Sequence, residues 1–527
     1  MIKQPAKASS VIHAYRGSAL LVFVLILIIA GIYLPFVTSY FCGYDDFMEI
    51  YRAKFVNAPA PVTLITRSHY DDFKYRPLNH ALVLFSTLLA DGAPWVFRSR
   101  NLLFHLLNVM LVYLLARSLR MNCGAAISAA ALFGFHPMCN QTISLAVCTN
   151  TTAHAAFLGA LLCLSHMRSD PRLVWAVAAA LLSGIGIFLY EPALMLLPVF
   201  GFWILWWRVK GEKLAGGGKA SLFLWAGTLL VAGVYLLLRS FYVPQGRAAV
   251  VAPISSVIRN SMVSVAGLFT PVDPILLYDG LGVTLPSRAM LASGAFWKLA
   301  APLAAVSLVV FVFLAYWLLR HGWLRCINRD LVVLLSGAAF FSMQPTLWFA
   351  PFPSETYLYL PLALLGPVIV ESAHAAGQIL FADKGRYLLA GILVLWLAQA
   401  TSAVVLRNKR VKMCGQQANA ILSSLPSSLG RAGAAVIGLT PEPGSLSSSY
   451  YGPYNYSGLD VIGYNWPGNK AVQESVRLYF NNPHISVELG RDGVPPAVCH
   501  HAAWCAWVGK EGAVRPDSSG VGPRPSR

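Results

Sequence analysis

Ser18-Ala-Leu-Leu-Val-Phe-Val-Leu-Ile-Leu-Ile-Ile-Ala-Gly-Ile-Tyr-Leu-Pro-Phe-Val-Thr-Ser-Tyr40 carries no charged residue. A run of this length can cross the hydrocarbon of a bilayer, for which about 20 apolar residues suffice. It is too long for a signal-peptide core, and no small-residue cleavage site follows it. It therefore reads as a retained first membrane span. Lys3, Lys7 and Arg16 precede it, which places residues 1–17 in the cytoplasm, because Lys and Arg accumulate in cytoplasmic segments.

The remainder of the chain extends the pattern. Of 527 residues, 57% are hydrophobic and 12% charged, more apolar surface than a soluble core hides. Further apolar segments fall at 98–118, 124–138, 142–166, 172–189, 192–207, 220–240, 297–319, 331–350, 356–380 and 386–406. The expected fold class is an all-α polytopic membrane protein with about 11 transmembrane helices. The run 78–90 is too short to span and reads as an interfacial helix, and 252–270 as a similar interfacial or re-entrant piece. Alternation puts Arg117 and Arg120, Arg168 and Arg172, Arg208 to Lys219, Arg320 to Arg329, and Lys384 with Arg386 on the cytoplasmic side. One cluster, Arg407, Lys409, Arg410 and Lys412, falls on the other side and breaks the rule.

Outside the membrane this leaves loops 41–97 and 241–296 of a membrane domain at 18–406, and a C-terminal domain at 407–510. Residues 511–527 read as a disordered tail. The net charge of +18 follows from basic cytoplasmic loops, so the expected partners include membrane lipids and no nucleic acid. Most of the nine cysteines lie in apolar runs. Cys499 and Cys505 do not, and read as a disulfide in an oxidising compartment or, with His500 and His501, as metal ligands in a spacing that fits no standard zinc site.

Chemistry-bearing residues gather at the external ends of the spans. Tyr44-Asp45-Asp46 follows the first span directly. Paired carboxylates at a membrane surface need a cation, a proton or a hydroxyl donor nearby. One of them can serve as a general base, whereas a helix N-cap is the plainer reading of an Asp there. A divalent cation stays open as a cofactor of such a pair, with no metal ligands assigned. Tyr70-Asp71-Asp72-Phe73 precedes Arg76, whose planar fork suits a phosphate, or a salt bridge to Asp71 or Asp72. Asn101, His105 and Asn108 share one face of the second span, with Arg98 a turn earlier. A polar stripe there must face protein or a water-filled cavity. His136 and Glu191 stand at span ends, and Arg247, Arg259 and Arg288 in the second loop are candidates for a donor phosphate.

The order of these pieces is familiar. Tyr44-Asp45-Asp46, Tyr75-Arg76-Pro77-Leu78, Arg100-Asn101 through His105 to Asn108, Leu132-Phe133 through His136-Pro137, Glu191, and Ser354-Glu355-Thr356-Tyr357-Leu358-Tyr359-Leu360-Pro361 resemble the membrane half of GT-C glycosyltransferases. The nearest pattern is that of the tetratricopeptide-containing O-mannosyltransferases and their bacterial relatives. The resemblance covers about residues 15–405. It implies a polyprenyl-phosphate sugar donor, inverting transfer on the extracytoplasmic face, Asp45 or Asp46 as base, and Tyr44, Arg76, Asn101, His105, His136, Glu191 and Tyr357 around the substrates. The acceptor would be a hydroxyl on glycan, lipid or protein, and the location a bacterial inner membrane with a periplasmic C-terminus. Gln141, Thr149, Tyr190 and Thr356 replace charged residues of the eukaryotic pattern, which leaves sugar and acceptor open. A lipid-linked-sugar flippase and an inactive glycan-binding scaffold are the alternative functions.

Overall fold

The computed structural model describes residues 8–42, 44–66, 75–170, 172–212, 217–243, 322–349, 355–381, 385–431, 435–443 and 470–491. It also describes Arg320, Ile462 and parts of 253–268 and 495–516. The helices are α1 (Ala8–Val37), α2 (Tyr44–Arg52), α3 (Pro77–Leu89), α4 (Pro94–Ser118), α5 (Cys123–Gly134), α6 (Asn150–Met167) and α7 (Leu173–Leu189). They continue with α8 (Leu196–Val209), α9 (Gly217–Tyr242), α10 (Arg329–Phe349), α11 (Glu355–Phe381), α12 (Gly385–Ser424) and α13 (Lys470–Tyr479). Their starts obey local rules. Pro77 and Pro94 occupy first helical positions, where no N–H is needed. The Asn122 side chain caps α5 by accepting from the Ala125 amide at 2.8 Å.

The protein is an integral membrane protein and mostly helical. Among the described residues, 6 helices are long and apolar enough to cross a membrane. Most apolar segments expected from sequence fall on helices; 142–166 is broken by a turn between Asn140–Ser144 and α6, and 297–319 lies outside the described residues, as does most of 252–270. Segment 78–90 is α3, too short to span, as expected.

Charges mark the end of the bundle remote from α2. Arg168 pairs with Glu212 at 2.6 Å and with Asp330 at 3.3 Å, and Lys210 also reaches Asp330. Three inter-helix connections are thereby tied at one level. Pro35 lies inside α1 and removes one ladder donor. Asn408 of α12 donates to the nearby Ile32 carbonyl at 2.8 Å and accepts from Asn140 at 2.6 Å. Its neighbour Arg407, fully buried, donates to the Pro137 carbonyl. The basic cluster that broke the charge rule is thus not uniformly a surface feature, because its first member is sunk into protein.

Helix α12 is 40 residues long, about 60 Å at the usual rise, twice the thickness of hydrocarbon. It runs unbroken through residue 407, so the boundary expected there falls within one element. Beyond it lie strands β1 (Ala435–Pro441), β2 (Ile485–Leu489), β3 (Trp504–Val508) and β4 (Val514–Pro516) in the order β2-β1-β3-β4. The β1 pairings with β2 and β3 are parallel, and β3–β4 is antiparallel. Strand β4 lies within the stretch expected to be disordered. There Arg515 stands opposite Trp507, and Val514 opposite Val508 on the sheet edge. Cys499 and Cys505 form a disulfide, which removes both thiolates from any metal site. Helix α13 packs on α2: Tyr479 meets Tyr40 edge-on at 6.3 Å, and Arg477 stacks over Tyr51 at 5.9 Å.

Candidate active site at the head of helix α2

Two carboxylates in the first turn of α2 suit the positive end of a helix. Adjacent residues point about 100° apart around a helix, and here the doublet splits: Asp45 is exposed, whereas Asp46 is 1% exposed. Phe47 and Ile50 bury the same inward side. Asp46 Oδ1 accepts from the Val147 amide at 3.2 Å, and its Oδ2 has no hydrogen-bond partner among the described residues. Burial pushes the Asp46 carboxyl up to about 7 against the opposing pull of Arg98.

Arg98, at the head of α4, is fully buried yet satisfied. It donates to the carbonyls of Ser39, of Tyr40 at 3.0 Å and of Ser144 at 3.2 Å. The first two lie just past the C-terminal end of α1, where carbonyls lack helical partners. One cation thereby fixes the turn between α1 and α2.

Arg76 meets Glu191, 115 positions away, at 2.6 Å through both Nε and Nη2. Its guanidinium also lies 4.7 Å over the Tyr190 ring. Burial works against the Arg76 charge, and the Glu191 carboxylate more than offsets it. Asp71 and Asp72, the partners considered from sequence, lie outside the described residues. Val147 donates to Asp46, and Thr149, two residues on, bonds Asn79, three residues after Arg76, so one turn of chain links the doublet to the head of α3.

The polar stripe on α4 faces protein. Asn101 donates to the Leu145 carbonyl at 2.7 Å. His105 Nδ1 bonds the Tyr359 hydroxyl at 2.7 Å and its Nε2 the Gly134 carbonyl at 3.2 Å. Asn108 donates to the Thr151 carbonyl at 2.8 Å and to the Tyr359 hydroxyl at 3.1 Å. All three are fully buried, and each joins helices or turns of the bundle. His136 is likewise buried; its Nδ1 accepts from the Met138 amide at 3.3 Å and its ring packs on Trp396. Tyr357 lines a narrow cleft with His154, Tyr190 and Ser342, adjoining Arg76–Glu191 through Tyr190. The Tyr44 side chain and Arg247, Arg259 and Arg288 lie outside the described residues.

Several contributors escaped the sequence reading. Glu49, one turn after Asp46, is buried beside His80, with 3.7 Å between Oε2 and Nδ1; its i+3 spacing from Asp46 was the available signal. Arg100 stood in a quoted motif without a role, and the Thr149–Asn79 hydrogen bond had no signal as a pair, because its two members are 70 positions apart. Among the described residues no group of three His, Cys, Asp or Glu could hold a metal ion.

No family model matches the chain, and no curated protein does. It is similar to the solved structure of ArnT from Cupriavidus metallidurans bound to undecaprenyl phosphate, at 12% identity over 93% of each chain, with a TM-score of 0.44. It is also similar to the oligosaccharyltransferase AglB from Archaeoglobus fulgidus in complex with an inhibitory peptide and a dolichol-phosphate. There the identity is 13% and the TM-score 0.39, covering 78% of this chain and 58% of that one. The chain thus spans less than two thirds of the archaeal protein. Both neighbours are membrane GT-C glycosyltransferases.

Proposed function

We propose that the protein is a polyprenyl-phosphate-dependent glycosyltransferase of the GT-C type acting at the extracytoplasmic membrane face. The observation that carries the reading is the exposed Asp45 just after the first apolar helix, joined through the turn at 147–149 to the head of α3, where Arg76 pairs with Glu191. Asp45 is the carboxylate that a substrate can reach. As general base it takes the proton of the acceptor hydroxyl while that oxygen bonds the anomeric carbon. The bond from that carbon to the donor phosphate breaks, and polyprenyl phosphate leaves with the electron pair. A positioned base of this kind contributes about 10²–10⁴-fold.

Asp46 is buried and faces the Val147 amide, so its part is to hold α2 in place. Arg76, ordered by Glu191 and Tyr190, presents a planar guanidinium that suits the developing negative charge on the phosphate. Arg247, Arg259 and Arg288 remain in the proposal as further phosphate contacts, as do about 11 spans and the domain limits given above. The C-terminal disulfide supports the orientation, since such bonds persist in oxidising compartments. A flippase would need polar groups along a path across the bilayer. On α4 those groups are spent on helix–helix hydrogen bonds.

The test is a deletion strain whose surface glycans are compared with its parent by mass spectrometry. Restoration by the wild-type gene and failure by Asp45→Asn, at equal membrane level, is the expected result. Full restoration by Asp45→Asn would remove the base.

A further inference from the structure

Between the short helix Asn140–Ser144 and α6, the turn at residues 144–148 is held by its carbonyls. Arg98 Nε donates to Ser144 O at 3.2 Å, Asn101 Nδ2 to Leu145 O at 2.7 Å, and Arg100 Nη2 to Ala146 O at 2.8 Å. Arg100 also donates to Ser86 Oγ of α3 at 3.0 Å and to Asn101 Oδ1 at 3.0 Å. A chain whose successive carbonyls are drawn to one side presents amides to the other, since each peptide plane carries both groups in opposite directions. The amides of Ala146 and Val147 accordingly face Asp46.

We propose that Arg100 and Asn101 are positioning residues: gripping this turn by its carbonyls, they aim its amides at Asp46 and so set the head of α2, where Asp45 stands. The effect on transfer rests on the glycosyltransferase reading of Asp45; the mechanical claim does not. Asn101 then serves the backbone and not a substrate. Its neighbour Arg100 grips the Ala146 carbonyl and ties the turn to Ser86 of α3.

Cys148 is a reporter within the turn: half-buried, with its carbonyl 3.5 Å from Arg100 Nη2. Cys163, buried toward the C-terminal end of α6, reports the bundle. Full-length protein in detergent micelles is treated with N-ethylmaleimide, and labelling at each thiol is followed by peptide mass spectrometry. In Asn101→Leu and Arg100→Met, Cys148 should react about tenfold faster with Cys163 unchanged, as a local opening requires. Arg100→Lys keeps a donor for the Ala146 carbonyl and should leave Cys148 protected. In the complemented deletion strain, Asn101→Leu should lower glycan output about tenfold, and should cause no further loss in an Asp46→Ala background, because both act on one link. An unchanged Cys148 rate in a folded variant overturns the proposal, as do losses that multiply in the double variant. If Asn101→Leu exposes Cys163 too, the Arg100→Met and Arg100→Lys pair decides, and equal Cys148 rates in those two overturn it. A wild-type gene that restores no glycan defeats only the glycosyltransferase reading, and the labelling result stands apart from it.

Discussion

Gly415 of α12 lies against the main chain of Tyr40, so closely that a Cβ at residue 415 would collide with the Tyr40 carbonyl and stand 3.1 Å from its amide nitrogen. The obstacle is backbone, which cannot swing aside. The turn it touches is the one whose carbonyls Arg98 holds. Gly415→Ala should therefore destabilise the protein by about 1–3 kcal/mol, the usual cost of overpacking. Gly391, on the same helix, has open space around it. There Gly391→Ala should be neutral or stabilise by up to about 1 kcal/mol from helix propensity. Thermal unfolding of the two variants in one detergent compares them directly, and equal midpoints would contradict the close approach.

The acidic doublet should divide on substitution. Asp45→Asn removes the exposed base and should cost at least about 10²-fold in transfer. Asp46→Asn keeps an oxygen that accepts from the Val147 amide, so α2 should stay in place and the loss should be smaller than for Asp46→Ala, which has no acceptor. Rates ranked the other way would mean that the buried carboxylate does the chemistry.

Burial raises the Asp46 carboxyl to about 7, so it is neutral below that pH and charged above it. A negative Asp46 accepts more strongly from the amide and makes Asp45 a better base, so transfer should rise through pH 7. The inflection should vanish in Asp46→Asn. Stability runs the opposite way. The folded form binds the proton more tightly than the unfolded chain, so this group's contribution is fully present below about pH 4 and is lost as pH rises through 7. Transfer and thermal midpoints measured from pH 5 to 9 check both signs.

Arg76 and Glu191 are ordered chiefly by each other. Glu191→Gln leaves a largely buried guanidinium with a weaker acceptor and should lower stability by about 1–3 kcal/mol. Arg76→Lys should not be neutral, because an ammonium cannot present Nε and Nη2 together nor lie flat on Tyr190. Pairing Arg76→Ala with Glu191→Ala should cost less than the two single losses combined, as read from thermal midpoints. Additive losses would show that the pair is not coupled.

The helices were legible in the sequence because hydrocarbon demands long uncharged runs, and Ser18–Tyr40 leaves no other reading. The doublet, Arg76 and Glu191 stood out because charges are rare in such a chain. What they do with one another was hidden. Asp45 and Asp46 are identical in composition and differ only in the side of a helix on which they fall, which requires knowing where α2 starts. Asn101, His105 and Asn108 announced a shared face correctly, but periodicity cannot tell a cavity from a packed neighbour helix. The function of Arg98 as a cap on α1 and the burial of Arg407 depend on carbonyls far away along the chain, and main-chain carbonyls leave no trace in side-chain spelling.

The packing of α13 on α2 has a bearing on biosynthesis. The ribosome makes the acidic helix long before its cover, and the middle strands of the terminal sheet cannot be completed until β3 arrives. A nascent chain therefore carries α2 uncovered until α13 has been made. Contacts this remote along the polypeptide form late in folding, so a protein cut short by premature termination would keep its membrane helices and lose the support that settles α2.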